Sequence, residues 1–167
     1  MERMRKPNID AYLTVMVTDK NGKVVYRRRY KSKSFVVGFL NALYADFTNV
    51  GNIEAPDIVV GSGTLKPSIT DTGLESQIAN GTGAGQLQYG TDSLTTPVTN
   101  VSSNTGSFTW SKSFTNGSGG NVTVSEVGAY VNVSGTNYFI LHDLLPSPVT
   151  LGNTQVLTVV YTVTIIT

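Results

Sequence analysis

The chain has 167 residues, 40% hydrophobic and only 14% charged, which is enough for one domain with a core of its own. It holds no cysteine and one histidine, which excludes disulfides, thiolate catalysis, cysteine-ligated metals and any site that needs two imidazoles. The net charge of +1 conceals an asymmetry: ten of the twelve Lys and Arg fall in residues 1–33, a balance of +7, while residues 34–167 stand at −6.

Thr, Ser, Asn and Gly make up about 40% of the residues, and Val is abundant. β-Branched residues among many turn formers predict a mostly antiparallel β protein. No apolar run reaches the ~18 residues of a membrane span, and the first residues carry no apolar leader, so no membrane partner is expected.

Residues 1–10 are polar and basic, include Pro7 and show no periodicity, and read as an arm. From Ala11 to Thr18 the side chains alternate, with Leu13, Val15 and Val17 on one face. Asp19-Lys20-Asn21-Gly22 supplies turn chemistry, and Lys23 to Lys31 reads as the return strand. A period of two puts Val25, Arg27, Arg29 and Lys31 on one face, and Val24, Tyr26, Arg28 and Tyr30 on the other. Ser34 is then a plausible N-cap for a helix from Phe35 to Phe47, whose Val36, Phe39, Leu40, Leu43 and Phe47 form an apolar stripe expected to pack on a sheet. Gly38 inside that helix signals a close packing contact, since Gly there costs ~1 kcal/mol relative to Ala.

Beyond residue 50 the strands come at short spacing: Asp57–Val60, Gln86–Tyr89, Gly106–Phe114, Asn121–Val133, Asn137–Leu144 and Gln155–Ile166. Pro146 and Pro148 are expected to break the ladder before the last strand. That strand is uncharged and strongly β-prone, so it should lie centrally or pair with another subunit. The expected fold is an antiparallel β-sandwich, jelly-roll-like, with one α-helix near the N-terminus. It is organised as a basic arm (1–10) and one domain (11–167), comprising hairpin 11–33, helix 34–47 and strands 57–166.

The motifs that suggest chemistry are weak. Gly81-Thr82-Gly83-Ala84-Gly85 lacks the Lys-Ser/Thr of a phosphate loop and runs into strand-like Gln86-Leu87-Gln88-Tyr89, so a turn is the better account. His142 and Asp143 are adjacent on a strand and point to opposite faces, and no Gly-x-Ser-x-Gly elbow occurs. Glu54, Asp57, Asp71 and Glu75 read as solvated loop acids. Trp110, with Phe108 and Phe114 on its face, reads as core rather than as a ligand platform. No catalytic residue, cofactor or metal is expected. What stands out is the basic zone, whose candidate docking residues are Arg3, Arg5, Lys6, Arg27, Arg28, Arg29, Lys31 and Lys33.

Five segments carry a family resemblance. They are Lys31-Ser32-Lys33-Ser34-Phe35-Val36, Gly81 to Gly90, Ser125-Glu126-Val127-Gly128-Ala129-Tyr130, Phe139-Ile140-Leu141-His142-Asp143 and Gln155 to Thr162. In these segments the chain resembles small virion structural proteins of tailed phages and related viruses. The resemblance implies a non-enzymatic capsid decoration or tail or fibre component, located in the virion and partnered by a capsid or tail protein. One alternative is a self-assembling filament subunit, viral or extracellular, with copies of itself as partner, the basic zone meeting the acidic body. A weaker one is a carbohydrate-binding β-sandwich using Trp110 and the tyrosines. Nucleic acid is possible as a partner but not favoured, because Arg27, Arg29 and Lys31 make only a short stripe.

Overall fold

Period-two alternation governs most of the chain, and the computed structural model, which describes residues 8–32, 35–48 and 53–166, resolves it into two antiparallel sheets. The elements are β1 (Asn8–Thr18), β2 (Val24–Ser32), α1 (Val37–Thr48), β3 (Ile53–Gly61), β4 (Gln88–Tyr89), β5 (Ser93–Leu94) and β6 (Val98–Asn100). A 3-10 turn (Val101–Ser103) then leads into β7 (Thr105–Thr115), β8 (Val122–Val133), β9 (Thr136–Leu151) and β10 (Val156–Ile166). The larger sheet has the order β2-β1-β10-β7, with β4, β5 and β6 each pairing short stretches of β7; the smaller has the order β3-β8-β9.

The core fills the space between the sheets. β1 turns Leu13, Val15 and Val17 inward, β10 Leu157, Val159 and Tyr161, and β7 Trp110 and Phe114. They meet Ile58 and Val60 of β3, Val127 and Ala129 of β8, and Leu141, Leu145 and Leu151 of β9. The protein is thus a mainly β, antiparallel sandwich with one helix, as its composition implies. The apolar last strand, β10, lies at the centre, paired along its length to β1 on one side and β7 on the other, so its sticky backbone has no open edge.

Several boundaries differ from the sequence reading. Residues 8–10 belong to β1 rather than to an arm, because Asn8, Ile9 and Asp10 stand opposite Ile166, Ile165 and Thr164. The stretch from Gln86 yields only the two-residue β4, since Leu87 turns into the core and its N–H is taken by Ala79. Strand β9 runs past Pro146 and Pro148 to Leu151. The prolines do interrupt pairing, for Leu144 and Val149 stand opposite Glu126 and Val124 with residues 145–148 looped out between them, but the strand resumes beyond.

The helix starts at Val37, two residues later than expected, because Phe35 bridges Leu141 and the Val36 N–H donates to Ile140 O, which holds that stub extended along β9. The proposed N-cap Ser34 lies outside the described residues, as does the side chain of Phe47. A Cβ on Gly38 would strike the Phe139 carbonyl, so helix and strand backbones touch there, and the glycine marks the close contact its position suggested. The apolar stripe is only partly core: Val36 and Ala42 are buried and Phe39 packs on Phe35, but Leu40 is 62% exposed and Leu43 37%. The stripe expectation fails at these two positions, which stay exposed while Phe39, Ala42 and Ala45 pack on the core.

Candidate functional site

Among the described residues β2 is an edge strand, hydrogen-bonded to β1 alone. Asp19 forms the hairpin turn by accepting the N–H groups of Asn21 and Lys23 at 2.8 and 3.0 Å. Opposed residues share a face, and Arg27, Arg29 and Lys31 stand opposite Met16, Thr14 and Tyr12 on the outer face. That face continues through Thr158, Val160 and Thr162 of β10 to Ser113, Ser111 and Thr109 of β7, an uncharged, hydroxyl-rich surface. Arg28 stands opposite Val15 on the inward side, yet at the edge it stays exposed.

Aromatic rings hold two of the three guanidinium groups. Arg29 lies 4.3 Å from the Tyr12 ring centre and Arg28 5.8 Å from that of Tyr26. The Tyr26 and Tyr30 hydroxyls are 3.0 Å apart, and burial, then that hydrogen bond, push the Tyr30 phenol up to about 12. Among the described residues, Arg27, Arg28 and Arg29 meet no carboxylate, whereas Lys31 pairs with Asp10 at 2.7 Å. That hydrogen bond holds Asp10 below the usual carboxylate range. The structure thus brings together Arg27, Arg28, Arg29 and Lys31 of the candidate docking set; Arg3, Arg5, Lys6 and Lys33 lie outside the described residues.

The acids behave differently. Glu126, fully buried, accepts the N–H groups of Gly63, Ser76 and Glu75 at 3.0, 2.8 and 3.1 Å, and its Oε2 lies 3.0 Å from His142 Nε2. His142 Nδ1 lies 2.6 Å from Asp71 Oδ2, so both ring nitrogens are hydrogen-bonded to carboxyl groups. The ring stands between the two acids, and among the described residues no three such groups converge as metal ligands. This trio pins the loop between β3 and β4 onto the smaller sheet. Gly63 is part of the fit, since a Cβ there would collide with both Glu126 and Glu75. On the opposite side of the strand, Asp143 accepts from Ser32 Oγ at 2.7 Å and Tyr161 Oη at 3.1 Å, so it does not orient its neighbour's ring.

A second ion cluster ties the two sheets together at the β3 side. Lys112, buried between Trp110 and Phe114 on β7, donates to Asp57 and, at 2.8 Å, to Asp92. Asp92 also accepts the Trp110 indole N–H and the Ile58 N–H, each at 3.1 Å. Burial would lower the Lys112 pKa, but the two carboxylates outweigh it and hold the ammonium above its ordinary value. Glu75 accepts the N–H groups of Thr64 and Leu65 at 2.6 and 2.8 Å. Asp57, Asp71 and Glu75 are therefore structural, not idle loop acids; the Glu54 side chain lies outside the described residues. Gly81 to Gly85 form a turn in which Gln86 Oε1 accepts the Gly83 N–H at 2.8 Å. Trp110 is 3% exposed and belongs to the core.

Asp71 carries a pH prediction. Burial would raise its pKa, but hydrogen bonds from the Ser68 N–H and from His142 win and hold it below 3.8. A carboxylate depressed in the folded state binds fewer protons than in the unfolded chain, so its contribution is present above about pH 4 and is lost as pH falls through the folded value. The stability difference between native protein and Asp71→Asn, measured by urea unfolding from pH 6 downward, should shrink below about pH 4. A difference that stays constant to pH 2 would remove Asp71 from the latch.

Compared with known proteins, the chain matches no family model, no curated protein and no solved structure. No helix among the described residues is long and apolar enough to cross a membrane.

Proposed function

We propose that the protein is a non-enzymatic structural subunit of a virion, a capsid decoration or a tail or fibre component, which docks through the arginine strand β2. The observation that carries the docking is the row Arg27, Arg28 and Arg29 on an exposed edge strand with no carboxylate in reach among the described residues. Adjacent like charges repel, and surface ion pairs contribute only ~0–1 kcal/mol even when made, so folding does not account for the row. An acidic partner does, because complementary fields steer encounter and fix orientation. The face beside the row is neutral and rich in hydroxyls, so it brings no charge that would oppose such a partner.

The acids favour a different molecule over a second copy. Asp57, Asp71, Glu75, Asp92, Glu126 and Asp143 each hold a hydrogen-bond partner inside the fold. The acidic balance of the body is therefore largely engaged internally, which sets the filament reading second.

The test compares native protein with Arg27→Ser/Arg28→Ser/Arg29→Ser by sedimentation, alone and mixed with candidate capsid shells or with duplex DNA. The variant should keep its circular dichroism and melting temperature yet lose most of its association with shells. Native association should fall as salt rises toward ~1 M, where the screening length is ~3 Å. A variant that still incorporates normally, with wild-type salt dependence, makes the row a solubilising face. Binding to DNA alone would move the partner to nucleic acid. A native mass far above 17.8 kDa without any partner would favour the filament.

A further inference from the structure

On the outer face of the smaller sheet, away from β2, a half-open cleft of about 210 Å³ is lined by Asp57, Val59, Gln77, Tyr130, Asn132 and Asn137. We propose that this cleft is a binding subsite for one neutral sugar residue. The proposal stands apart from the docking reading, since it uses none of the same residues.

The chemistry of the lining narrows the ligand class. Five of the six side chains are polar; the exception, Val59, is 2% exposed and closes the floor. An apolar ligand would gain little here. The one carboxylate in the lining, Asp57, is already paired with the Lys112 ammonium, which it shares with Asp92. A single partly neutralised acid with no second carboxylate beside it in the lining makes a poor cation site. What remains is a set of donors and acceptors suited to hydroxyl groups. Among the described residues the Tyr130 hydroxyl has no hydrogen-bond partner, Asp57 Oδ2 accepts none, and Asn137 Nδ2 donates none. Burial, then the Asp57 charge, raises the Tyr130 pKa, so the phenol stays protonated and can donate. Planar carboxylate and amide groups bridge vicinal hydroxyls two at a time, and an aromatic ring takes the C–H face of a sugar.

The groups are also held in place. Asn132 Nδ2 donates to Asn137 Oδ1 at 2.7 Å, and Asn132 Oδ1 accepts the Gly135 N–H at 2.8 Å, which fixes both amides at the β8–β9 hairpin. Tyr130 packs on Phe139 with ring centres 4.8 Å apart, and Asp57 is fixed by Lys112. Preorganisation of this kind lowers the ordering cost of binding. The volume lies below the ~300–1,000 Å³ of pockets for drug-sized ligands, which matches a single ring.

The test is a titration of the isotope-labelled native protein with glucose, galactose, mannose and N-acetylglucosamine, followed by amide NMR shifts, with glycerol as control. At least one sugar should give saturable shifts confined to Gln77, Tyr130, Asn132, Asn137 and their neighbours, with Kd in the millimolar range. Tyr130→Phe and Asn137→Ser, whose spectra report that the fold is kept, should each weaken binding about three- to tenfold, the loss expected for one hydrogen bond. The absence of saturable shifts with all four sugars, shifts equal to those from glycerol, or native affinity in both variants would overturn the proposal. Retained sugar binding in the triple arginine variant is expected whichever way the docking test falls.

Discussion

Glu126→Ala is expected to destabilise the fold by about 3–5 kcal/mol, because it removes a buried carboxyl group that partners several hydrogen bonds at once. Three N–H groups, of Gly63, Glu75 and Ser76, lose their acceptor, and His142 keeps a carboxylate on one side alone. Because those N–H groups anchor the loop between β3 and β4, the variant should also be cut there by a protease under conditions that spare the native protein. Glu126→Gln retains the shape and one accepting oxygen, so it should lose less than the alanine variant. Urea unfolding measures all three proteins, and a loss below about 1 kcal/mol for Glu126→Ala would mean that the latch is not held by this carboxylate.

Trp110→Ala should cost about 3–5 kcal/mol, the range for truncating a large buried aromatic. The indole lies 6.2 Å from the Tyr161 ring, centre to centre, and its N–H donates to Asp92, the acid that also holds Lys112 and the Ile58 N–H. Truncation therefore opens a cavity and loosens the clamp between the sheets at once. Trp110→Phe separates these effects: it keeps most of the packing and forfeits the hydrogen bond, for an expected loss of about 1–3 kcal/mol. Were Trp110→Ala to leave the melting temperature unchanged while abolishing binding of a ligand, the core assignment would be wrong.

Most of the sandwich was legible because its signals are local. Alternation in β1, the Asp19–Gly22 turn and the uncharged run of β10 each specify their structure within a dozen residues. The ion clusters were not legible as clusters, since Asp71 and His142 are 71 positions apart and Lys112 and Asp57 are 55. A signal was nevertheless present. Glu126 is the one Asp, Glu, His, Lys or Arg in the run Val122–Val133, and Lys112 shares a face with Trp110 and Phe114. A charge inside an otherwise apolar strand must be paired or hydrogen-bonded, because leaving it bare in the core is too costly. His142 and Asp143 in Phe139–Leu145 are the same kind of exception, so four buried groups, each in need of a partner, stood in the sequence. The cleft had no comparable signature. Asn132 and Asn137 flank a hairpin whose composition already called for Asn, and nothing local set them apart from turn residues.

The position of β10 has a consequence for how the protein is made. The hairpin of β1 and β2 is synthesised early, yet the inner edge of β1 pairs with a strand far downstream; Thr18 reaches Val156 across 138 positions. Contacts of such long range slow folding, and β7 cannot join β1 until β10 lies between them. During synthesis at ~5–20 residues per second, the nascent hairpin therefore waits for seconds with an apolar face and an open backbone edge. Over that interval the arginines of β2 repel other nascent hairpins, so the same charges proposed above to dock the folded protein also keep unfinished chains apart.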